Sequence, residues 1–147
     1  MPIRPSIIAL ACLAAPALAF AAKWEKVGDA GPVLLYVDKD SVRRSGTETR
    51  AQIEWRWKAP TDVPNADPPR QYRLERQIQI TNCGNRSYAV SEGTRYADER
   101  GLDPVSSYKY TESQLPYSVA TPRTVRDLAV IYICAAEPAK AADPAKK

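Results

Sequence analysis

Between Thr49 and Lys58 the chain alternates: Ala51, Ile53, Trp55 and Trp57 fall on one side of an extended backbone, and Arg50, Gln52, Glu54, Arg56 and Lys58 on the other. Successive side chains of a strand point to opposite faces, so a two-residue period held this long predicts a strand with one covered face and one wet face. A helix would set the two tryptophans about 200° apart and leave no apolar stripe. Gln71 to Thr81 repeats the pattern, with Tyr72, Leu74, Ile78 and Ile80 on one side. Arg76 interrupts that side and is expected to snorkel from an edge or to pair with a carboxylate such as Glu92. Alternating charged faces favour an antiparallel sheet, because parallel strands are normally covered on both sides.

Other segments supply the remaining strands. Trp24 to Val27 reads as a short opening strand, and Val33 to Val37, apolar and rich in β-branched residues, as a second. Asp40 to Arg44 has the look of a helical turn, with Val42 tucked back and Arg43 and Arg44 wet. Arg86 to Glu92, with Tyr88 and Val90 on one face, and Val105 to Thr111, with Tyr108 and Tyr110, complete five or six strands, enough for a sheet with one apolar face to stand. Ala59 to Arg70 holds Pro60, Pro64, Pro68 and Pro69 and is read as an exposed loop, since proline cannot serve a central strand.

Near the end the period changes. Thr121-Pro122 offers an N-cap followed by proline at the first helical position, and Val125, Leu128, Ala129 and Tyr132 follow at helical spacing. The β-branched density of Val130 to Cys134 also fits a strand, so both readings of 122–134 stand. A helix would supply the cover that an apolar sheet face carrying Trp55, Trp57 and Ile78 needs. The expected fold class is α+β: a single antiparallel sheet of five or six strands with a C-terminal helix on its apolar face.

The first residues read as a secretory signal peptide. Arg4 precedes an apolar run from Ile7 to Leu13, and small residues place a cut after Ala19 or after Ala21. The run is shorter than the roughly 20 apolar residues of a membrane span and is interrupted by proline, so no transmembrane segment is expected after cleavage. The division is then signal peptide over 1–21, folded domain over 22–135, and an Ala/Pro/Lys tail over 136–147 expected to be disordered. Cys12 leaves with the signal. Making it a lipid-bearing N-terminus would leave only Ile7 to Ala11 as the apolar core, with Ala9 where leucine is expected. The expected location is periplasmic or secreted.

Cys83 and Cys134 survive cleavage. In an exported chain they read as one disulfide, the alternative being two buried free thiols. The bridge would close a loop of about 52 residues, worth about 4 kcal/mol on the chain-entropy account. Nothing in their spacing resembles a C-x-x-C redox pair, so the bridge is read as a staple.

Composition removes most chemistry. The chain has no histidine, hence no histidine base, triad or metal ligand. Two cysteines are too few for a thiolate zinc site. Net charge falls from +4 to +3 when Arg4 leaves, which is too small and dispersed for nucleic-acid binding by bulk electrostatics. There is no glycine-rich phosphate loop and no solenoid repeat, and no cofactor is expected.

With these residues in view, the chain resembles the surface-adhesin protein E family of small exported bacterial proteins. The resemblance rests on Trp24 and Val27, on Leu35-Tyr36-Val37-Asp38 with Ser41-Val42-Arg43 following, and on Trp57-Lys58 before a proline-containing loop. It continues through Asn82-Cys83-Gly84-Asn85-Arg86 with Tyr88 and ends on a hydrophobic segment closed by Cys134. It spans about Ala22 to Cys134. The family's Asp-Cys pair maps to Asn82-Cys83, and its Trp-x-Pro segment appears only as Leu115-Pro116. The resemblance implies a bent sheet whose C-terminal helix is pinned to the concave face by the disulfide.

The functional expectation is a non-catalytic exported binding or adhesion-like module of the bacterial envelope. Its contacts would come through the polar sheet face or the proline-rich loop to an envelope or extracellular protein. Trp24, Arg43, Arg44, Pro64, Pro68 and Pro69 are the candidate partner contacts; Trp55 and Trp57 are assigned to the core. One alternative is an accessory structural subunit of an envelope assembly. A carboxylate-dependent hydrolase is the other, but Glu54 and Glu75, on adjacent strands, are assigned to wet faces that give no reason for a raised pKa.

Overall fold

The structure, a computed structural model, describes residues 22–138. The expected signal peptide and most of the expected tail lie outside the described residues. Six strands form the main path of one antiparallel sheet: β1 (Trp24–Asp29), β2 (Val33–Asp38), β4 (Glu48–Asp62), β5 (Gln71–Asn82), β6 (Ser87–Tyr96) and β7 (Pro104–Lys109), in the spatial order β1-β2-β4-β5-β6-β7. Short β3 (Arg43–Ser45) pairs with β4, and β8 (Ser118–Val119) pairs with β6. One helix, α1 (Val125–Ala135), lies on the sheet. The α+β expectation holds, and so does the disulfide: Cys83 and Cys134 are joined, with Cα atoms 5.6 Å apart. Among the described residues no helix is long and apolar enough to cross a membrane.

Register decides which residues share a face. In an antiparallel pair, directly opposed residues project to the same side. Trp55 stands between Leu35 of β2 and Glu75 of β5; Ile53 stands between Val37 and Gln77, and Ala51 faces Gln79. The helix-side layer is therefore apolar on β2 and β4 and changes abruptly to Glu75, Gln77, Gln79 and Thr81 on β5. Ile78 pairs with Gln52 and Ile80 with Arg50, on the outer side. This corrects the expectation of one apolar face holding Trp55, Trp57 and Ile78 together. Each strand's alternation is real, but the pairing places Leu74, Ile78 and Ile80 of β5 on the face opposite Ala51, Ile53 and Trp55. Tyr72, beyond the irregularity after Arg56, meets Trp57.

The core is Leu35, Val37, Val42, Ala51, Ile53, Trp55, Ala129 and Ile133, with Val27, Val33, Trp57 and Tyr132 packed against it. Val42 is fully buried while Arg43 and Arg44 stay exposed. The helix begins later than expected. Thr124, not Thr121, is the N-cap, its hydroxyl accepting from the Asp127 amide at 3.2 Å, and Pro122 lies before the helix. That start turns Ala129, Val130 and Ile133 inward and leaves Leu128 exposed. Gly28 on β1 admits the helix: a Cβ there would lie 2.7 Å from Cγ1 of Val125.

Both ends of α1 are tied to one turn. Cys134 bonds Cys83 in the β5–β6 connection, and Arg86, in the same connection, forms an ion pair with buried Asp127 in the first helical turn. Arg44 donates to the Cys134 carbonyl at 3.1 Å, a cation at the helix C-terminus. So held, α1 packs mainly over β1, β2 and β4 and reaches β5, and its Arg126 extends over Tyr88 at the start of β6.

Candidate functional site

Two polar systems occupy opposite sides of the sheet. On the outer side, Glu54 is fully buried and clamped by two guanidiniums: Arg56 Nε donates to Oε1 at 2.5 Å and Arg76 Nε to Oε2 at 2.7 Å. The arginines lie against rings, Arg56 at 4.2 Å from the Tyr36 centroid and Arg76 at 5.8 Å from Trp24 and 5.4 Å from Tyr96. Arg76 thus pairs with Glu54 rather than Glu92, whose partner is Lys109 at 2.9 Å. The β6–β7 loop closes over it, Arg76 donating to the Arg100 carbonyl at 3.3 Å. Within that loop, backbone amides, that of Asp103 foremost, hold the Asp98 carboxyl below the usual carboxylate range.

On the helix side, Glu75 is the hub. Its Oε1 accepts from the Tyr108 hydroxyl at 2.8 Å and the Gln77 amide at 2.9 Å, and Arg95 stands 3.3 Å away. Trp55 Nε1 donates to Gln77 at 3.0 Å, joining this network to the core. Gly93 makes room for Tyr108, since a Cβ there would lie 2.5 Å from the phenol. Arg95 rests over Tyr72 and Tyr108 at 5.4 and 5.0 Å. Arg126, from the first turn of α1, sits over Trp55 at 4.5 Å and Tyr88 at 4.9 Å and donates to Gln79 at 2.8 Å. Burial pushes the Arg126 pKa down, and among the described residues it forms no salt bridge.

Burial, then the charge of Glu75, raises the Tyr108 phenol well above its ordinary value. A folded-state pKa above the unfolded value near 10 means that this group's stability is complete below about pH 10 and is lost as pH rises toward the folded value. NMR of the Tyr108 ring under alkaline titration is expected to show ionisation only as the fold is lost. Ionisation of Tyr108 near the ordinary phenol value of about 10, with the fold intact, would contradict the network.

Beyond the helix the surface opens into a groove of about 460 Å³ lined by Tyr88, Arg95, Tyr108, Tyr110, Pro64 and Pro116, with Val90 and Ser118 completing it. The strands β6 and β7 form its floor. The proline-rich loop supplies Pro64, and the segment between β7 and β8 supplies Pro116. A hollow of about 580 Å³ lies among Gln52, Arg76, Glu92, Tyr96 and Lys109. Its charged groups already pair within the sheet, Arg76 with Glu54 and Lys109 with Glu92.

A family profile described as surface-adhesin protein E matches residues 24–135. The chain belongs to the surface-adhesin protein E family. Solved structures agree on the fold. Protein E from non-typeable Haemophilus influenzae superposes with a TM-score of 0.53 at 20% identity, covering 82% of this chain and 81% of that one. A second Haemophilus influenzae protein E structure gives 0.55 at 19% identity, covering 88% and 96%. No curated protein shows significant sequence similarity.

Within this family member the expected contact residues are not brought together. Pro64 reaches the groove, whereas Pro68 and Pro69 are exposed in the same loop but do not line it. Arg44 is engaged with the end of α1, and Arg43 bonds the nearby carbonyls of Asp40 and Val42. Trp24 is half-buried on the outer side near Arg76. Trp55 is buried at 9% exposure beneath Arg126, while Trp57 is only half-buried and meets Tyr72 edge-on at 5.0 Å. Glu54 and Glu75, assigned to wet faces, are both buried; they lie on opposite sides of the sheet, so they do not flank one cleft. The residues missed were Arg95 and Arg126 and the role of three tyrosines already placed in strands. The only prior sign was Tyr108-x-Tyr110, which puts two rings on one face.

Proposed function

We propose that the protein is a non-catalytic exported binding module of the bacterial envelope, periplasmic or secreted, with an adhesion-like role toward an envelope or extracellular protein. The groove over β6 and β7, between the proline-rich loop and the β7–β8 segment, is its contact surface. One observation carries this reading: the helix covers only part of its side of the sheet, and the uncovered part holds tyrosines and arginine, residues enriched where binding energy concentrates. Family membership supports an adhesion-like role. The two buried glutamates are consumed by arginines and a tyrosine, which argues for structure over acid–base chemistry.

The test pairs fractionation with capture. The full-length chain, expressed with its signal, is expected outside the cytoplasm in oxidised form. Immobilised, that mature protein should retain an envelope or extracellular protein that protects β6, β7 and Pro116 to Val119 from amide exchange. Cytoplasmic retention, or no protection anywhere on the chain in the presence of extract, would defeat the reading.

A further inference from the structure

We infer that the groove takes an extended, proline-containing peptide that carries a carboxylate; this rests on the binding-module reading above and names its ligand class. The argument begins with what the groove offers. Tyr88, Tyr108 and Tyr110 present rings, Pro64 and Pro116 present further apolar rings, and the Tyr108 and Tyr110 centroids stand 5.8 Å apart. A polyproline II segment advances about 3.1 Å per residue, so residues two apart meet rings at about this spacing. Such a segment has no internal hydrogen bonds and arrives already stiff, so it loses little entropy on docking in an aromatic-lined groove.

The polar groups select among ligands. The strongest hydrogen-bonding groups beneath the groove are spent on one another: Tyr108 on Glu75, Gln77 on Glu75 and on Tyr108, and Trp55 on Gln77. A sugar, which must exchange many hydroxyl contacts with water for contacts with protein, finds faces here but few free partners. Addition of a peptide strand to β7 is also disfavoured. Pro104 removes a donor at the start of the strand, Arg70 already occupies the Val105 carbonyl at 2.8 Å, and Lys109 places a charge near its end.

Charge sets the second requirement. Arg95 shares one carboxylate, Glu75, with Tyr108 and Gln77, and its buried Nε has no hydrogen-bond partner among the described residues. Arg126 does not line the groove but stacks on Tyr88, which does; it donates to the neutral Gln79 and forms no salt bridge among the described residues. The local field therefore favours an anion, and a carboxylate meeting a guanidinium gains charge-assisted hydrogen bonds.

The probe is a fluorescein-labelled synthetic peptide of alternating proline and alanine with two aspartates, titrated with the full mature, oxidised protein. Saturable binding with Kd of about 10–100 μM is expected. Tyr110→Ala, at an exposed position, should raise Kd at least about tenfold, and Arg126→Gln about fivefold, while Leu128→Ser on the exposed side of α1 should leave it unchanged. Replacing the aspartates by asparagine, or the prolines by alanine, should each weaken binding by at least about fivefold. No saturation by about 1 mM, or equal binding by Tyr110→Ala protein that keeps its circular dichroism, overturns the proposal. So does preferential binding of trigalacturonate, the acidic-saccharide arm. Should Arg126→Gln fail to fold, Tyr110→Ala and the peptide series still decide. If the peptides fail while a captured protein still protects the groove strands, only the ligand class falls; if no segment is protected, the binding-module reading falls with it.

Discussion

Removing the disulfide, by Cys83→Ser together with Cys134→Ser or by reduction, is expected to lower the unfolding free energy by about 4 kcal/mol. The two cysteines are 51 positions apart, and closing a loop of that length in the unfolded chain is what the bond forgoes on unfolding. That sum is a large part of the 5–15 kcal/mol of ordinary domains. The loss should concentrate at α1, because the helix is the last element of the domain and Ala129, Val130 and Ile133 are its principal buried side chains. Urea unfolding of oxidised and serine-substituted protein measures the difference, and limited proteolysis locates it. Matching midpoints, or first cleavage in the β2–β4 region, would show that the helix is held by packing alone.

Glu54→Gln is expected to cost about 3 kcal/mol, at the lower end of what breaking a buried ion pair usually costs. The carboxylate has no exposed surface, while Arg56 and Arg76 keep 40% and 36% of their side-chain surface in water. Those arginines can therefore recover some hydration once their shared anion is gone, which moderates the penalty. Removing charge and counter-charge together, as Glu54→Leu with Arg76→Leu, should restore more than half of the loss, because an apolar pair of similar volume escapes the desolvation cost. Thermal or urea unfolding of the two variants makes the comparison. A single substitution costing under about 0.5 kcal/mol would mean that the cluster contributes nothing net.

What could be read from sequence, and what could not, follows from range. Trp55 and its neighbours announced a strand because alternation is local to one segment. Cys83 and Cys134 announced a staple because they are the two cysteines outside the expected signal peptide. Register is different: it depends on how β4, which runs on through Pro60 to Asp62, and β5 meet across the eight-residue connection 63–70, and one residue of slip exchanges every face. The correct faces of Ile78, Glu54 and Glu75 were hidden for that reason. The late helix start was hidden because Thr121 and Thr124 are both competent caps, and Arg86–Asp127, an interaction 41 positions apart, helps fix the choice. The groove was hidden most completely. Its rings, prolines and arginine come from the proline-rich loop, β6, β7 and the segment before β8, and no local window contains them.

Fastening both ends of α1 to residues 83–86 lets that short turn set, from a distance, where the helix sits beside the proposed binding groove. The helix carries Arg126, which stacks on Tyr88, a residue of the groove's lining. A turn that seats its passenger slightly nearer or farther would shift that guanidinium against Tyr88 and so move a ring of the groove, without altering any residue of the lining. Homologues differing only around Asn85 are then expected to diverge in the cargo they accept while keeping the same lining, so diversification of this scaffold can proceed from its hinge rather than from its walls.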